Sequence, residues 1–354
     1  QKIRTTRERK EGKAVKAQFW IIPILAVLLF TVPMLAMVPG QSEDIPKSSQ
    51  ASSSSNTSSI QSADIGIRKK DLKFKVLDSS TGKTKTYTAK EFAIGAIAAE
   101  MPPSFHIEAL KAQGLAALTY ATRLKLQNET QENTDLKGAD FALGDGSFTG
   151  FMKKEEMKER YGENFDTYYE KIEQAAKEIC DKLIVYDSQP IVAAYHAISG
   201  GKTEAAQNVW QSFVDYLVPV DSVGDELSPD YEKSVSMSAE EVKEKLSAGI
   251  DGTDFSGDSS GWITVVSRTE SETVNEVTVG GVSTTGKQVR SLLGLRSADF
   301  SVSYAENTFT FITKGYGHAV GMSQYGADYL ARQGNTYEQI IQHYYTGVQI
   351  ITVD

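Results

Sequence analysis

Twenty consecutive residues from Phe19 to Val38, FWIIPILAVLLFTVPMLAMV, carry no charge, and residues 1–18 before them hold seven Lys/Arg and two acids. A helix needs about 20 apolar residues to cross ~30 Å of hydrocarbon. Pro23 and Pro33 would kink a helix in water but are tolerated in membrane spans. The basic flank places residues 1–18 in the cytoplasm and everything after Val38 outside. A cleaved signal peptide is the competing reading. Against it, the basic region is long, the apolar run exceeds the usual ~7–15 residues, and no A-x-A-like cleavage site stands out. The expectation is a cytoplasmic basic tail (1–18), one transmembrane helix (19–38), and an extracytoplasmic remainder held at the cell membrane.

Charge follows the same division. The 354 residues sum to −9. The tail contributes +5, so the rest of the chain carries −14. An acidic ectodomain is not a general nucleic-acid binder. Residues 39–63 are Ser-rich with almost no apolar content, cannot bury enough surface to fold, and read as a flexible linker. Residues 64–354 then form the globular ectodomain. One cysteine, Cys180, excludes an internal disulfide framework and a multi-thiolate zinc finger. Four histidines (His106, His196, His318, His343) leave few metal-site combinations. Neither a metal nor a cofactor is expected.

Within the ectodomain, the alternation of Leu72 to Leu77 and the return at Lys85 to Thr88 predict paired strands. Thr88-x-x-Glu91 is a capping box opening a helix that stops before Pro102-Pro103. Ser104 is expected to cap a second helix carrying Ile107, Leu110, Leu115, Leu118 and Leu124 at helical spacing. Residues 128–166 look polar and irregular. A helix is expected over 165–182, paired strands at 183–186 and 191–195, and one amphipathic helix within 228–249. Short strands dominate 262–312, with a short helix at Thr285 to Leu293. Two helices close the chain, the last begun by Thr336-x-x-Gln339. This order predicts an α+β fold, a bilobed ectodomain with a helical core and a strand-rich lobe at 255–312.

Three stretches could carry chemistry. Glu100 ends the Ala/Ile-rich run AIGAIAA, which implies a buried helix. A lone Glu is usually a surface acid. Here burial and the negative end of the helix dipole both disfavour its charged form, and a carboxyl held protonated is what a general acid requires. Lys111, Gln113 and Tyr120 on the next helix are either a solvated stripe or donors lining the same groove. The second stretch, Tyr195-His196-Ala197-Ile198-Ser199-Gly200-Gly201-Lys202-Thr203-Glu204, ends a strand. A histidine there is more often structural, but paired glycines let a backbone approach a ligand. The third is Gly315 to Ala327, GYGHAVGMSQYGA. Its glycine spacing fits neither a dinucleotide fingerprint nor a phosphate loop. It reads as a tight turn feeding a helix N-terminus and displaying His318, Ser323, Gln324 and Tyr325. No G-x-S-x-G nucleophile elbow is present.

Taken together, AIAAEMPPSFHIEALKAQGLAALTYATR (95–123), YHAISGGKTEAAQNVW (195–210), VRSLLGLRSADFSV (289–302) and GYGHAVGMSQYGADYLARQGNTYEQIIQHYYTGVQI (315–350) resemble the stage II sporulation protein D family, over about residues 70–350. The resemblance implies a lytic transglycosylase of spore engulfment. Such an enzyme cleaves peptidoglycan glycan strands between N-acetylmuramic acid and N-acetylglucosamine and leaves a 1,6-anhydro-muramoyl end. The family's catalytic glutamate, in A-A-E-M-P, carries onto Glu100. Lys111, Gln113, Tyr120, His196, Ser199, Gly200, Gly201, Thr203, His318, Ser323, Gln324 and Tyr325 match polar or glycine positions of the motifs and are expected to bind glycan. Implied partners are peptide-stripped glycan strands, a sporulation amidase/endopeptidase and a multispanning membrane protein. Two departures stand out. Residues 140–151, where some relatives bind zinc, contain neither Cys nor His, and Ala319 replaces a glycine of the usual G-H-G-V-G-M-S-Q form. A non-catalytic relative that grips glycan and enhances a cell-wall amidase is the alternative.

Overall fold

The computed structural model describes residues 66–144 and 150–354. The expected tail, transmembrane helix and linker lie outside them. Among the described residues no helix is long and apolar enough to cross a membrane.

The fold is mixed α+β, as expected, and its apolar side chains gather into two main cores. The first is helical. Strands β1 (Lys73–Asp78) and β2 (Lys83–Thr88) pair antiparallel, and β3 (Phe141–Leu143) adds parallel to β1. Thr88 then caps α1 (Ala89–Glu100) through the foreseen box with Glu91. Phe92 through Ala98 are all buried, because a helix apolar all round has no face to give to water. Helix α2 (Ile107–Thr130) crosses it closely: a Cβ on Gly114 would lie 2.7 Å from Ile97 Cδ1. His106, rather than Ser104, caps α2, its Nδ1 accepting from Glu108 N at 3.3 Å. Helix α3 (Lys154–Tyr161) and helix α4 (Phe165–Ile179) follow, then β4 (Lys182–Tyr186) with β5 (Gln189–Pro190). The stretch 128–166 is therefore less irregular than its polarity implied. Strand β3 and α3 are short, and α3 buries only Met157 and Tyr161, too weak a stripe to read.

Residues 191–194 do not continue as a strand. Instead β6 (Tyr195–His196) pairs in parallel with β13 (Met322–Ser323), a partner over a hundred residues away. After the short α5 (Ala206–Trp210), the chain leaves for the second core. It returns with α8 (Gln324–Arg332), α9 (Tyr337–Tyr344) and β14 (Gln349–Thr352), which pairs with β4.

The second core is built from β7 (Glu232–Ser238), α6 (Ala239–Ser247), β8 (Ile263–Arg268), β9 (Val274–Val279), β10 (Val282–Thr285), α7 (Gly286–Leu293), β11 (Phe300–Ala305) and β12 (Thr308–Lys314). Two three-stranded sheets, β10-β9-β8 and β11-β12-β7, enclose Val242, Leu246, Val277, Val289, Phe309 and Phe311. The unit is thus longer than 255–312. The stretch read as one helix within 228–249 is half strand: Glu232–Ser238 pairs along the whole of β12, and Ser238 caps a helix only nine residues long.

A buried carboxylate ties the two cores. Glu204 Oε1 accepts from Ala205 N at 2.8 Å and Asn208 Nδ2 at 2.7 Å. Its Oε2 accepts from Thr269 Oγ1 at 2.6 Å and Thr273 Oγ1 at 2.5 Å, both on the β8–β9 turn. Ser271 Oγ on that turn also donates to Thr203 O at 2.6 Å. Glu204→Ala would strand these donors away from water, and each buried donor left unmet costs about 1–3 kcal/mol. Urea unfolding should show a loss of about 2–4 kcal/mol, with Glu204→Gln keeping part of it. A loss under about 0.5 kcal/mol would mean that the tie is not structural.

Candidate active site

Three segments far apart in sequence meet at one point. Glu100, half-buried, is the last residue of α1. Gln113 sits fully buried on α2, and Gln324 is the first residue of α8. Gln324 Nε2 donates to Glu100 Oε2 and to Gln113 Oε1, each at 3.3 Å. Gln113 Nε2 is buried with no hydrogen-bond partner among the described residues. One neutral amide, Gln324, therefore bridges the Glu100 carboxyl group and a second amide, Gln113. Gly150 closes the other side: a Cβ there would lie 2.1 Å from Glu100 Oε1. The next residue, Phe151, covers Gly95 on α1, and Met152 N bonds Gly95 O at 2.9 Å.

The Gly-rich loop places Gln324 by its backbone. Gly315, Gly317 and Gly321 hold φ of +74°, +119° and +72°. A Cβ on Gly321 would meet Ala194 O at 2.1 Å, so only glycine fits there. Ala319 shares this left-handed geometry at φ +63°. Its Cβ is accommodated at a strain of about 1–2 kcal/mol. Ser323 caps α8, its Oγ accepting from Gly326 N at 3.2 Å. The same hydroxyl donates to Asp225 Oδ1 at 2.5 Å. Asp225 Oδ2 accepts from Ser199 N at 2.8 Å and Ser199 Oγ at 2.5 Å. One fully buried carboxylate thus locks the His196–Gly201 loop to the Gly315–Ser323 loop.

The two histidines of these loops pack beside each other, ring centroids 5.8 Å apart. His196 Nδ1 lies 3.1 Å from Val320 O and so carries the proton. His196 Nε2 is buried without a partner. Val320 N donates to His318 Nδ1 at 3.0 Å, so His318 bears its proton on Nε2. Burial holds the imidazolium form of both below its ordinary range, and the neighbouring His196 adds to the effect on His318.

The remaining expected residues fall around this centre with different tasks. Lys111 is engaged by Glu108 at 2.6 Å and Glu178 at 2.5 Å, joining α2 to α4. Tyr120 is partly buried against the helical core, and burial raises its hydroxyl pKa. Thr203 Oγ1 accepts from Val220 N at 2.9 Å. Gly201 N donates to Ser199 Oγ at 3.2 Å, and Gly200 lies against Asp299, where a Cβ would be 2.5 Å from Oδ2. Tyr325 stacks edge-on against Phe105, centroids 4.9 Å apart. Sequence reasoning missed Asp225 and Gly150, and it passed over Glu204 at the end of the second stretch without giving it a role. All three stand in polar or glycine-bearing stretches where nothing in the local pattern marks burial. Among the described residues, no group of three or more His, Cys, Asp or Glu side chains could hold a metal ion.

These observations define a mixed α+β protein with one carboxyl group bonded to an amide where its first helix meets the end of its Gly-rich loop. The family model described as "Stage II sporulation protein" matches residues 78–186. Stage II sporulation protein D of Bacillus subtilis (strain 168) is 34% identical over 94% of this chain and 95% of its own length. The Bacillus amyloliquefaciens protein of the same name is 32% identical over 96% and 97%. The Bacillus subtilis protein named "Amidase enhancer" is 28% identical over 72% of this chain and 40% of its own. The chain belongs to the stage II sporulation protein D family.

The two histidines set a pH dependence. Burial sets their folded pKa values below the ordinary 6.5, so the unfolded chain binds more protons below about pH 6.5 and stability falls as pH drops through that range. Asp299 acts with the opposite sign, since burial raises its pKa from 3.8 to about 6 and the folded chain gains a proton below that. Asp299 therefore offsets part of the decline below about pH 6. Urea midpoints measured from pH 8 to 5 should stay flat above pH 7.5 and decline below 6.5. Midpoints that hold level down to pH 5 would contradict the neutral-histidine assignment.

Proposed function

We propose that this protein is a membrane-anchored lytic transglycosylase of sporulation, acting on peptidoglycan glycan strands in a groove between two lobes. The observation that carries the reading is the Gln324–Glu100–Gln113 cluster, which joins the first and last motifs of the resemblance at the residue where the family's catalytic glutamate falls. The relatives' names support a sporulation role.

One carboxyl group suffices for this reaction. Hydrolytic glycosidases use two, one as acid and one as base or nucleophile. In a lytic cleavage the muramoyl C6 hydroxyl is an internal nucleophile, so no water needs activation. Glu100 donates its proton to the glycosidic oxygen as the bond to the muramoyl anomeric carbon breaks. As a carboxylate it then accepts the proton of the C6 hydroxyl, which closes the 1,6-anhydro ring. Holding that hydroxyl beside the anomeric carbon supplies the proximity contribution. Gln324 orients the carboxyl, Gln113 holds Gln324, and both line the sugar's path. Lys111, Tyr120, His196, Ser199, Gly200, Gly201, Thr203, His318, Ser323 and Tyr325 shape the groove walls, directly or through the Asp225 lock. The N-terminal basic tail and apolar run anchor the chain with its site outside the membrane, beside a sporulation amidase/endopeptidase and a multispanning membrane protein.

Similarity to a protein named "Amidase enhancer" favours a second reading, in which the domain grips glycan and activates a separate amidase. The full chain incubated with peptide-free glycan strands separates the two. Mass spectrometry should find anhydro-muramoyl ends, and Glu100→Gln should reduce their rate of release by about 10²–10⁴-fold, the usual weight of a general acid–base. Gly150→Ala, which crowds Glu100 Oε1, should slow release while leaving the thermal midpoint close to wild type. Binding of glycan with no anhydro ends would favour the enhancer reading, and a fully active Glu100→Gln would overturn the site.

A further inference from the structure

A second polar notch opens where the two cores meet, away from the Glu100 amide cluster. It is a cavity of about 50 Å³, and Arg290, Lys287, His318, Asn208, Asn275 and Asp299 are among its lining residues. Its cations are unusual. Arg268, outside the lining, pairs with the lining Asp299, and Lys314 is a third cation of the lining. Arg290 and Lys287 take part in no ion pair among the described residues. Arg290 Nε donates to Leu295 O at 3.3 Å, and Lys287 Nζ to Val209 O at 2.7 Å. Both acceptors are neutral carbonyls. Burial pulls both cations below their ordinary pKa, Arg290 to about 10, so Arg290 stays charged at neutral pH. A partly desolvated cation without a counter-charge is costly. Asp299 does not relieve it, because Arg268 already holds that carboxyl.

We infer that this notch is a subsite for the carboxylate of a sugar, held by Arg290 inside and Lys287 at the rim. The size of the cavity favours a single functional group. Each water needs about 10–15 Å³, so the notch admits a carboxylate but not a pyranose ring. The ring would lie outside, where Asn208, Asn275 and Lys287 are exposed. The inference rests on the glycan reading for its natural ligand. A muramoyl residue bearing a stem peptide presents a neutral amide at its lactyl group. Removing the peptide leaves a carboxylate there. Arg290 would then distinguish stripped from unstripped strands by charge.

The test is titration calorimetry on the full chain in detergent, with N-acetylmuramic acid, N-acetylglucosamine and inorganic phosphate as separate probes. N-acetylmuramic acid should bind at least tenfold more tightly than N-acetylglucosamine, the scale of one charge-assisted pair. Arg290→Gln should erase that difference, and Lys287→Gln should reduce it about threefold. Neither should change N-acetylglucosamine binding. Because Lys287 is exposed, its variant keeps the test valid if Arg290→Gln unfolds. Equal binding of the two sugars, or discrimination unchanged in either variant that folds, would overturn the inference. Phosphate that binds more tightly than N-acetylmuramic acid and displaces it would reassign the notch to phosphate and also overturn it. Glu100→Gln separates this inference from the enzyme reading. Discrimination should persist in that variant, so loss of anhydro-end release and loss of carboxylate selectivity are independent outcomes.

Discussion

The buried carboxylate of Asp225 is the constraint on which the site geometry depends. The loops at 197–201 and 315–321 have little regular pairing of their own: β13 and β6 share two residues, and an isolated bridge joins Ile198 to Tyr316. Such loops would drift without a common anchor. Asp225 takes the backbone N–H and hydroxyl of Ser199 on one oxygen and the hydroxyl of Ser323 on the other. Ser323 also caps α8. The first residue after that cap is Gln324, whose amide reaches Glu100 and Gln113. A single carboxylate on a loop of its own therefore sets where the amides meet the acid. Charge-assisted bonds to an ionised acceptor are the strong class of hydrogen bond, which suits a task done by so few contacts.

Glu204 does for the two cores what Asp225 does for the two loops. Both carboxylates are buried, and both bind hydroxyl and backbone donors rather than cations. An ion pair would have cost two desolvations, and its partner's removal would leave a charge uncompensated. Serine and threonine hydroxyls satisfy the same oxygens and bring only neutral groups into the interior. The stretch from Ser199 to Glu204 serves both anchors, so the relation between the two cores and the shape of the Gly-rich loop are mechanically linked. A shift of the β8–β9 turn would be felt at Ser199 through five residues of backbone.

Legibility from sequence followed the range of each interaction. The capping boxes at Thr88, Ser238 and Thr336 were readable because their partners lie three residues away. Helix α1 was readable because AIGAIAA is apolar all round. Glu232–Ser238 was misread because β12, which decides its state, pairs with it across more than seventy residues. The same holds for β6, whose two residues take their conformation from β13. At the site, Glu100 and Gln324 stood out through their motifs. Asp225 did not, and Glu204 was passed over at the end of its stretch, because burial of an acid depends on hydroxyls supplied from distant segments. Ala319 carried a signal that could be read only half-way. The sequence marked a glycine replaced, while its φ of +63° shows that the turn kept the glycine's geometry.

The choice of amides around Glu100 agrees with an acid that must act in both protonation states. A lysine or arginine at the place of Gln324 would favour the carboxylate and hold the proton off. A second carboxylate would do the reverse. An amide N–H donates to one carboxyl oxygen whether or not the other carries a proton, and it adds no net charge. At 3.3 Å the Gln324–Glu100 bond is long, so it orients the group without committing it to either state. The helix end adds a modest bias of its own. The C-terminal dipole of α1 disfavours the anion modestly, by fractions of a kcal/mol where the group is exposed and more where it is sheltered. Lys111 is taken up by Glu108 and Glu178. On the proposed mechanism, in which the acid gives up a proton and then takes one back, a neutral and weakly held amide such as Gln324 suits the task.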